Sequence, residues 1–265
     1  MKKTFIFINT IFLSVSSLSA AETSQKIALK ACTVMWPPFI TKKEGTQDIE
    51  GPDTEILKLI ASRQNYEISI QEVPWKRCLN MAQTGDVDIV FSASDKAERR
   101  EFLLYPKTQL HTTRYVFAVK PDTKTDWATS KDPKSLPQPV GSVLGYSVTD
   151  ELKGKQVKVD DGATTDPQNV DKFFSGRINS FVIEESVLNA LLAGKYAEDK
   201  KSKGIEILKP PYEDSKNYYI TISKTAGKSP EAAQTILKNF EGELEKMSAS
   251  GEIKKIYEGA FKKVE

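Results

Sequence analysis

Between residues 26 and 91 the chain alternates strand-like and helix-like stretches, and this alternation most constrains its fold. Over residues 26–34, Ile27, Leu29 and Ala31 take turns with Ala28, Lys30 and Cys32, the period of a strand. Pro37 and Pro38 cannot continue a ladder, so the strand stops at an aromatic loop, Trp36-Pro37-Pro38-Phe39. Residues 52–63 place apolar side chains at Ile56, Leu57, Leu59, Ile60 and Ala61 behind Pro52, which predicts a helix. A second strand is expected over 66–73. A second helix follows over 75–83, opened by Pro74 and ended by Gly85. A third strand is expected over 87–91. A β-α-β-α-β series reads as a parallel sheet with helices on its faces. Such sheets take ligands outside the carboxyl ends of their strands. The loops at those ends hold the aromatics, the hydroxyls and an arginine.

A second series follows. After a strand over 115–119, residues 121–139 are rich in Pro, Asp, Thr, Ser and Lys and read as a surface connection. Strands are expected over 140–144, 156–159, 178–183 and 205–208, and helices over 148–152, 166–174 and 186–195. The chain returns through a strand over 218–222. It ends in two helices, one capped by Ser229 with Pro230 at its first position and one over 251–261. Two such series, one return strand and terminal helices predict an α/β chain of two lobes, each a mainly parallel sheet flanked by helices. Residues 22–116 and 216–265 would form lobe 1 and residues 117–215 lobe 2, with crossings near 115–119 and 216–222. No internal sequence repeat accompanies this.

Lys2 and Lys3, an apolar run over 5–18 and Ser19-Ala20-Ala21 have the form of a secretory signal cut after Ala21. The expected location is therefore the periplasm. Without that segment the formal charge of +2 falls by its two lysines to zero, which argues against nucleic acid or a membrane surface as partner. No later segment is apolar enough to insert in a membrane. Cys32 and Cys78 form an even pair, and in an oxidising compartment such a pair closes a disulfide. A loop of about 47 residues gains at most ~4 kcal/mol from it. A rival reading takes Leu29-Lys30-Ala31-Cys32 as a loose lipobox with Cys32 acylated. Against it, the apolar run ends more than ten residues earlier and Lys30 stands where a small residue is wanted.

The third strand runs out into Ser92 and Ser94, and Arg99 follows five positions later. A guanidinium makes two parallel charge-assisted hydrogen bonds to a carboxylate, and hydroxyls and free N–H groups add more. A solvated basic turn has the same composition, since Lys96, Arg99 and Arg100 are ordinary surface residues. The helix after Gly145-Tyr146-Ser147 would add its free N–H groups to an anion site. Glu184, at a strand end of the second series, would take an ammonium, and Trp36 and Trp75 would flank a side chain. Each has a plain alternative: core packing for the tryptophans, a solvated acid for Glu184, an N-cap for Ser147. The enzyme templates mostly fail. There is one histidine, His111, expected at the surface or the lobe junction, and no Gly-x-Ser-x-Gly or phosphate-binding glycine loop. No catalytic residue, metal or cofactor is expected.

The ordered set Trp36-Pro37-Pro38-Phe39, Gly51-Pro52-Asp53, Gly85-Asp86-Val87-Asp88, Ser92-x-Ser94, Arg99, Val143-Leu144-Gly145-Tyr146-Ser147, Gly176-Arg177-Ile178-Asn179 and Glu184 resembles the periplasmic solute-binding proteins of the amino-acid type, family 3 of the bacterial extracellular binding proteins. The resemblance implies a two-lobed, type II periplasmic binding fold. It implies a monomer that closes on a small polar or zwitterionic solute, an amino acid, and delivers it to an ABC permease. It gives Arg99 the ligand carboxylate with Ser92 and Ser94 beside it, and Ser147 the helix-start hydroxyl. It gives Glu184 the ammonium and sets Trp36 and Trp75 beside the ligand side chain. Two departures stand out: Glu184 replaces the usual Asp, and Thr33 replaces an acid found in members that bind cationic amino acids. The run Pro74-Trp75-Lys76-Arg77-Cys78 belongs to a divergent branch. Two alternatives stand beside this reading. One is an enzyme on the same fold, resembling the cyclohexadienyl and arogenate dehydratases, with Glu184 as proton donor. The other is a soluble sensory adaptor.

Overall fold

The structure is a computed structural model and describes residues 26–198 and 204–261; the expected signal segment lies outside the described residues. The first series folds as β1 (Ile27–Thr33), a short hairpin of β2 (Thr41–Lys42) and β3 (Ile49–Glu50), α1 (Pro52–Arg63), β4 (Tyr66–Glu72), α2 (Trp75–Thr84), β5 (Ile89–Ser94) and β6 (Leu103–Leu104). β7 (His111–Val119) leads through α3 (Trp127–Ser130) into the second series: β8 (Val140–Val143), α4 (Ser147–Gly154), β9 (Val159–Ala163), α5 (Asp166–Phe174), β10 (Ser180–Glu184), α6 (Glu185–Ala193) and β11 (Glu206–Ile207). β12 (Glu213–Ser223) returns to α7 (Pro230–Ala249) and α8 (Glu252–Phe261).

The main sheet runs β4-β1-β5-β12-β7-β10-β8-β9. β1 lies parallel to both β4 and β5, and β8 lies parallel to both β9 and β10. Each half thus sets its first strand in the middle, its second at the edge and its third inward. Each is then completed by an antiparallel strand that arrives from the other half, β12 against β5 and β7 against β10. The halves repeat one topology, although no repeat is visible in the residues. The two crossing strands pair with each other where Thr112 and Thr113 meet Asn217 and Lys216, so the lobes are joined by a two-stranded ribbon. This need for reach explains why β7 and β12, at 9 and 11 residues, are the longest strands.

Local chemistry accounts for most boundaries. Gly85, at φ 83°, ends α2 in the left-handed conformation. Thr165 caps α5 by accepting from the Gln168 amide, and Ser229 caps α7 by accepting from the Ala232 amide. α1 buries Ile56, Leu57, Ile60 and Ala61 against the sheet, the stripe seen in the sequence. Three strands depart most from expectation, the first being β7, which begins at His111 rather than at Tyr115 because its first residues pair with β12. β9 begins at Val159 rather than ending there, because Gln156 turns left-handed at φ 61° and the Val157 amide donates back to Leu152. The run Asp160-Asp161-Gly162 carries turn chemistry but lies on the sheet edge, where Asp160 pairs with Lys172 of α5 and Asp161 with Lys153 of α4. β12 starts at Glu213 rather than at Tyr218, since its polar first half is the crossing itself.

Cys32 on β1 and Cys78 on α2 are fully buried and joined as a disulfide with their Cα atoms 5.6 Å apart. The pairing reading therefore holds, and Cys32 sits within a strand rather than at a chain end. The cross-link closes a sequence separation of 46 residues. Replacing both cysteines by serine is expected to lower unfolding free energy by ~2–4 kcal/mol, read as a shift of the urea midpoint at unchanged slope.

Candidate ligand-binding cleft

The carboxyl ends of the parallel strands in both halves converge on one narrow, partly open space of about 20 Å³, room for roughly one water. Lobe 1 supplies Thr33, Trp36, Trp75, Ser92, Ser94 and Arg99 to its wall. Lobe 2 supplies Tyr146 and Ser147 at the start of α4, and the crossing strands supply Tyr115 and Tyr218.

Arg99 follows β5 in a single helical turn and is only 4% exposed. Its Nη1 donates to the Ser94 carbonyl and to Ser94 Oγ, each at 2.9 Å, and its Nη2 donates to the Gly145 carbonyl at 3.0 Å. The guanidinium carbon lies 5.4 Å from the centre of the Trp75 ring, within range of a cation–π contact. All three acceptors are neutral, and among the described residues no carboxylate pairs with it. A buried cation held only by dipoles is undercompensated and attracts an anion. Three contacts cross between the halves here: Arg99 to Gly145, Ser94 Oγ to Ser147 Oγ at 3.0 Å, and Lys96 to Asp150 at 2.7 Å. Gly145 has φ 81°, and a Cβ there would lie 3.2 Å from that of Lys76 on the opposite half. The close approach of the two halves depends on this glycine.

Ser92 is the extra residue of a β-bulge. Phe91 faces Ile220 and Ala93 faces Tyr219, so Ser92 has no partner across the ladder, and its φ is 60°. Bulges re-aim side chains. Here the hydroxyl is turned onto the carboxylate of Asp53, to which it donates. Trp36 packs with its centroid 4.7 Å from Tyr218 and 5.0 Å from Phe39, and its indole N–H is buried without an acceptor.

Of the residues singled out in the sequence, Trp36, Trp75, Ser92, Ser94, Arg99 and Ser147 come together around this space. Glu184 does not line it. It caps α6, its Oε2 accepting from the Val187 amide at 2.7 Å, and it is 1% exposed. Burial pushes its carboxyl up, partly offset by the backbone N–H groups of Val187 and Ser186. Beside it lies an acid that sequence reasoning missed. Asp166, at the first position of α5, is 2% exposed and accepts from the cavity-lining Tyr146 hydroxyl at 2.8 Å. Burial pushes its carboxyl up to about 7, with the Glu184 charge acting the same way against the Tyr146 hydrogen bond. Among the described residues neither acid has a Lys or Arg ion-pair partner. The tyrosines were missed as well. Tyr218 donates to the Tyr115 hydroxyl at 3.0 Å, and burial raises both phenols.

A carboxyl raised in the folded state penalises folding once the unfolded chain has ionised. For Asp166 the penalty is absent below about pH 4 and grows as pH rises through about 7, to roughly 4 kcal/mol at most. Asp166→Asn keeps an acceptor for Tyr146 and removes the charge. It is expected to match the parent in thermal stability at pH 4 and to exceed it by several degrees at pH 8; an equal or lower melting temperature at pH 8 overturns the assignment.

Comparison with known proteins agrees with this geometry. An arginine-binding extracellular protein, ArtP, of Bacillus subtilis (strain 168) is 28% identical over 177 residues, 65% of this chain and 66% of that protein, just under two thirds of its length. A probable histidine-binding protein of Neisseria gonorrhoeae is 24% identical over 243 residues, 90% of this chain and 84% of that one. The solved structure of an ancestral arginine-binding protein bound to arginine superposes with a TM-score of 0.72 at 20% identity, covering 89% of this chain and 99% of that one, which shows the shared two-lobed fold. Residues 29–263 match one family throughout. The chain belongs to the bacterial extracellular solute-binding proteins, family 3.

Proposed function

We propose that this protein captures a free amino acid between its two lobes in the periplasm and presents it to an ABC permease. The observation that carries the reading is Arg99: a buried guanidinium whose acceptors are all neutral, at the junction of the lobes. The ligand carboxylate replaces the Ser94 and Gly145 carbonyls as its partner, with Ser94 and Ser147 beside it. Trp36 and Trp75 form the aromatic wall. Residues 1–21 act as the export signal, and no helix among the described residues is long and apolar enough to cross a membrane. The lobes are divided near residues 116–117 and 215–216, within β7 and at the start of β12, so that the ribbon is the hinge. The closed state gains the ligand's contacts to both lobes, and that difference drives closure.

The relatives' names put basic amino acids first among the candidates. The buried carboxylates of Asp166, behind Tyr146, and of Glu184, neither with a Lys or Arg ion-pair partner among the described residues, support a cationic group on that side. Tyr146 and both acids belong to lobe 2, so it is a turn of the Tyr146 hydroxyl away from Asp166, not the parting of the lobes, that opens the way to that carboxylate. The protein acts as a monomeric receptor and returns its ligand unchanged.

A calorimetric screen of the free amino acids tests this. One or more is expected to bind, and Arg99→Ala is expected to raise the dissociation constant at least about 100-fold, as loss of a bidentate charged pair implies. Unchanged affinity in the variant sinks the site assignment. Chemical conversion of the bound solute, followed by proton NMR, sinks the receptor reading in favour of an enzyme.

A further inference from the structure

Asp53 stands at the second position of α1, fully buried, and does not line the cavity. Its carboxylate gathers side chains from three other elements. Ser92 from β5 and His111 Nε2 from β7, at 3.2 Å, meet Oδ2, and the Tyr257 hydroxyl from α8 meets Oδ1 at 2.5 Å. An ionised carboxylate only accepts, so all three neighbours must donate. The surroundings of His111 agree. Its ring is sandwiched between Phe39, parallel within 2° at 4.3 Å, and Tyr218 at 5.2 Å, and its Nδ1 is buried without a partner. A proton on Nδ1 would be an orphaned buried donor; the proton belongs on Nε2, facing Asp53.

We propose that Asp53 is a positioning residue that fixes the polarity of the cavity wall: it takes up the Ser92 hydroxyl hydrogen, so Ser92 offers the cavity lone pairs only. The bulge and the left-handed backbone at Ser92 exist to make that bond. Arg99 has donors and no acceptor. The lobe 1 wall is therefore split into a donor-only end at Arg99 and an acceptor-only point at Ser92. A carboxylate held at Arg99 must bring an N–H to Ser92, and the same molecule without its amine leaves Ser92 unpaired. His111 on the crossing strand and Tyr257 on α8 hold the carboxylate from behind, which ties this polarity to the ribbon. The inference rests on the cavity being the ligand site, and its own core, the direction of the Asp53 bonds, is tested without any ligand.

His111 is the chain's sole histidine, so a long-range proton–nitrogen correlation spectrum reports it without overlap. The parent protein is expected to show a proton on Nε2. In Asp53→Asn the Tyr257 hydroxyl keeps the amide oxygen on its side, the NH2 group faces Ser92 and His111, and the Nε2 proton is expected to be lost. An unprotonated Nε2 in the parent overturns the proposal, because Asp53 would then carry the proton. Calorimetry with L-arginine and with 5-guanidinopentanoate, the same molecule without its α-ammonium, reads the consequence. The parent is expected to prefer arginine, and both Asp53→Asn and Ser92→Ala are expected to cut that preference tenfold or more. Loss of both affinities by the same factor marks a merely structural role and overturns the proposal. If the parent binds neither compound, the basic amino-acid reading fails while the histidine spectrum still decides the role of Asp53.

Discussion

A guanidinium buried with no carboxylate partner among the described residues organises this molecule. Arg99 cannot be left in an apolar core, and its three neutral acceptors come from both lobes, Ser94 on one side and Gly145 on the other. Around it the chain arranges what a lone buried charge demands: an aromatic face in Trp75, a glycine that lets the opposite backbone approach, and hydroxyls that can turn. None of these would be worth conserving energy for in a hydrophobic core, where an apolar residue of the same volume packs with less penalty. A guanidinium so placed can still pair with an anionic group.

The topology delivers those groups to one place. Because each half uses the same strand order, the carboxyl ends of β1, β5 and β8 all open on the junction. The antiparallel exchange of β7 and β12 fixes the two halves face to face and leaves the ribbon as the link between them. Tyr115 and Tyr218 belong to that ribbon and also line the cavity, so any bending of the link moves part of the wall.

Much of this was legible in the residues, and the reasons it stopped where it did are physical. Helices α1, α2 and α5 announce themselves by apolar spacing and by cap residues, which depend only on near neighbours in sequence. Ser94 and Arg99 are legible because they lie on one strand end and its following turn. The bulge at Ser92 is not, because it is set by the register of β12, which lies more than 120 residues away. Asp53 belongs to a short run singled out in the sequence, yet its partners Ser92, His111 and Tyr257 come from three distant elements. Asp166 reads as an ordinary first-turn acid, since nothing local reveals that Tyr146 and Glu184 close over it. Glu184 was placed at a strand end, but the helix that starts there directs one of its oxygens onto the Val187 amide instead of into the open space.

The disulfide sets the two halves apart: among the described residues only the first carries a covalent cross-link. Cys32 immediately precedes the cavity-lining Thr33, and Cys78 lies one helical turn after Trp75, so the covalent link runs directly beneath the aromatic floor. The cross-link therefore fixes the spacing between the strand that carries Thr33 and the helix that carries Trp75, whatever the other half does.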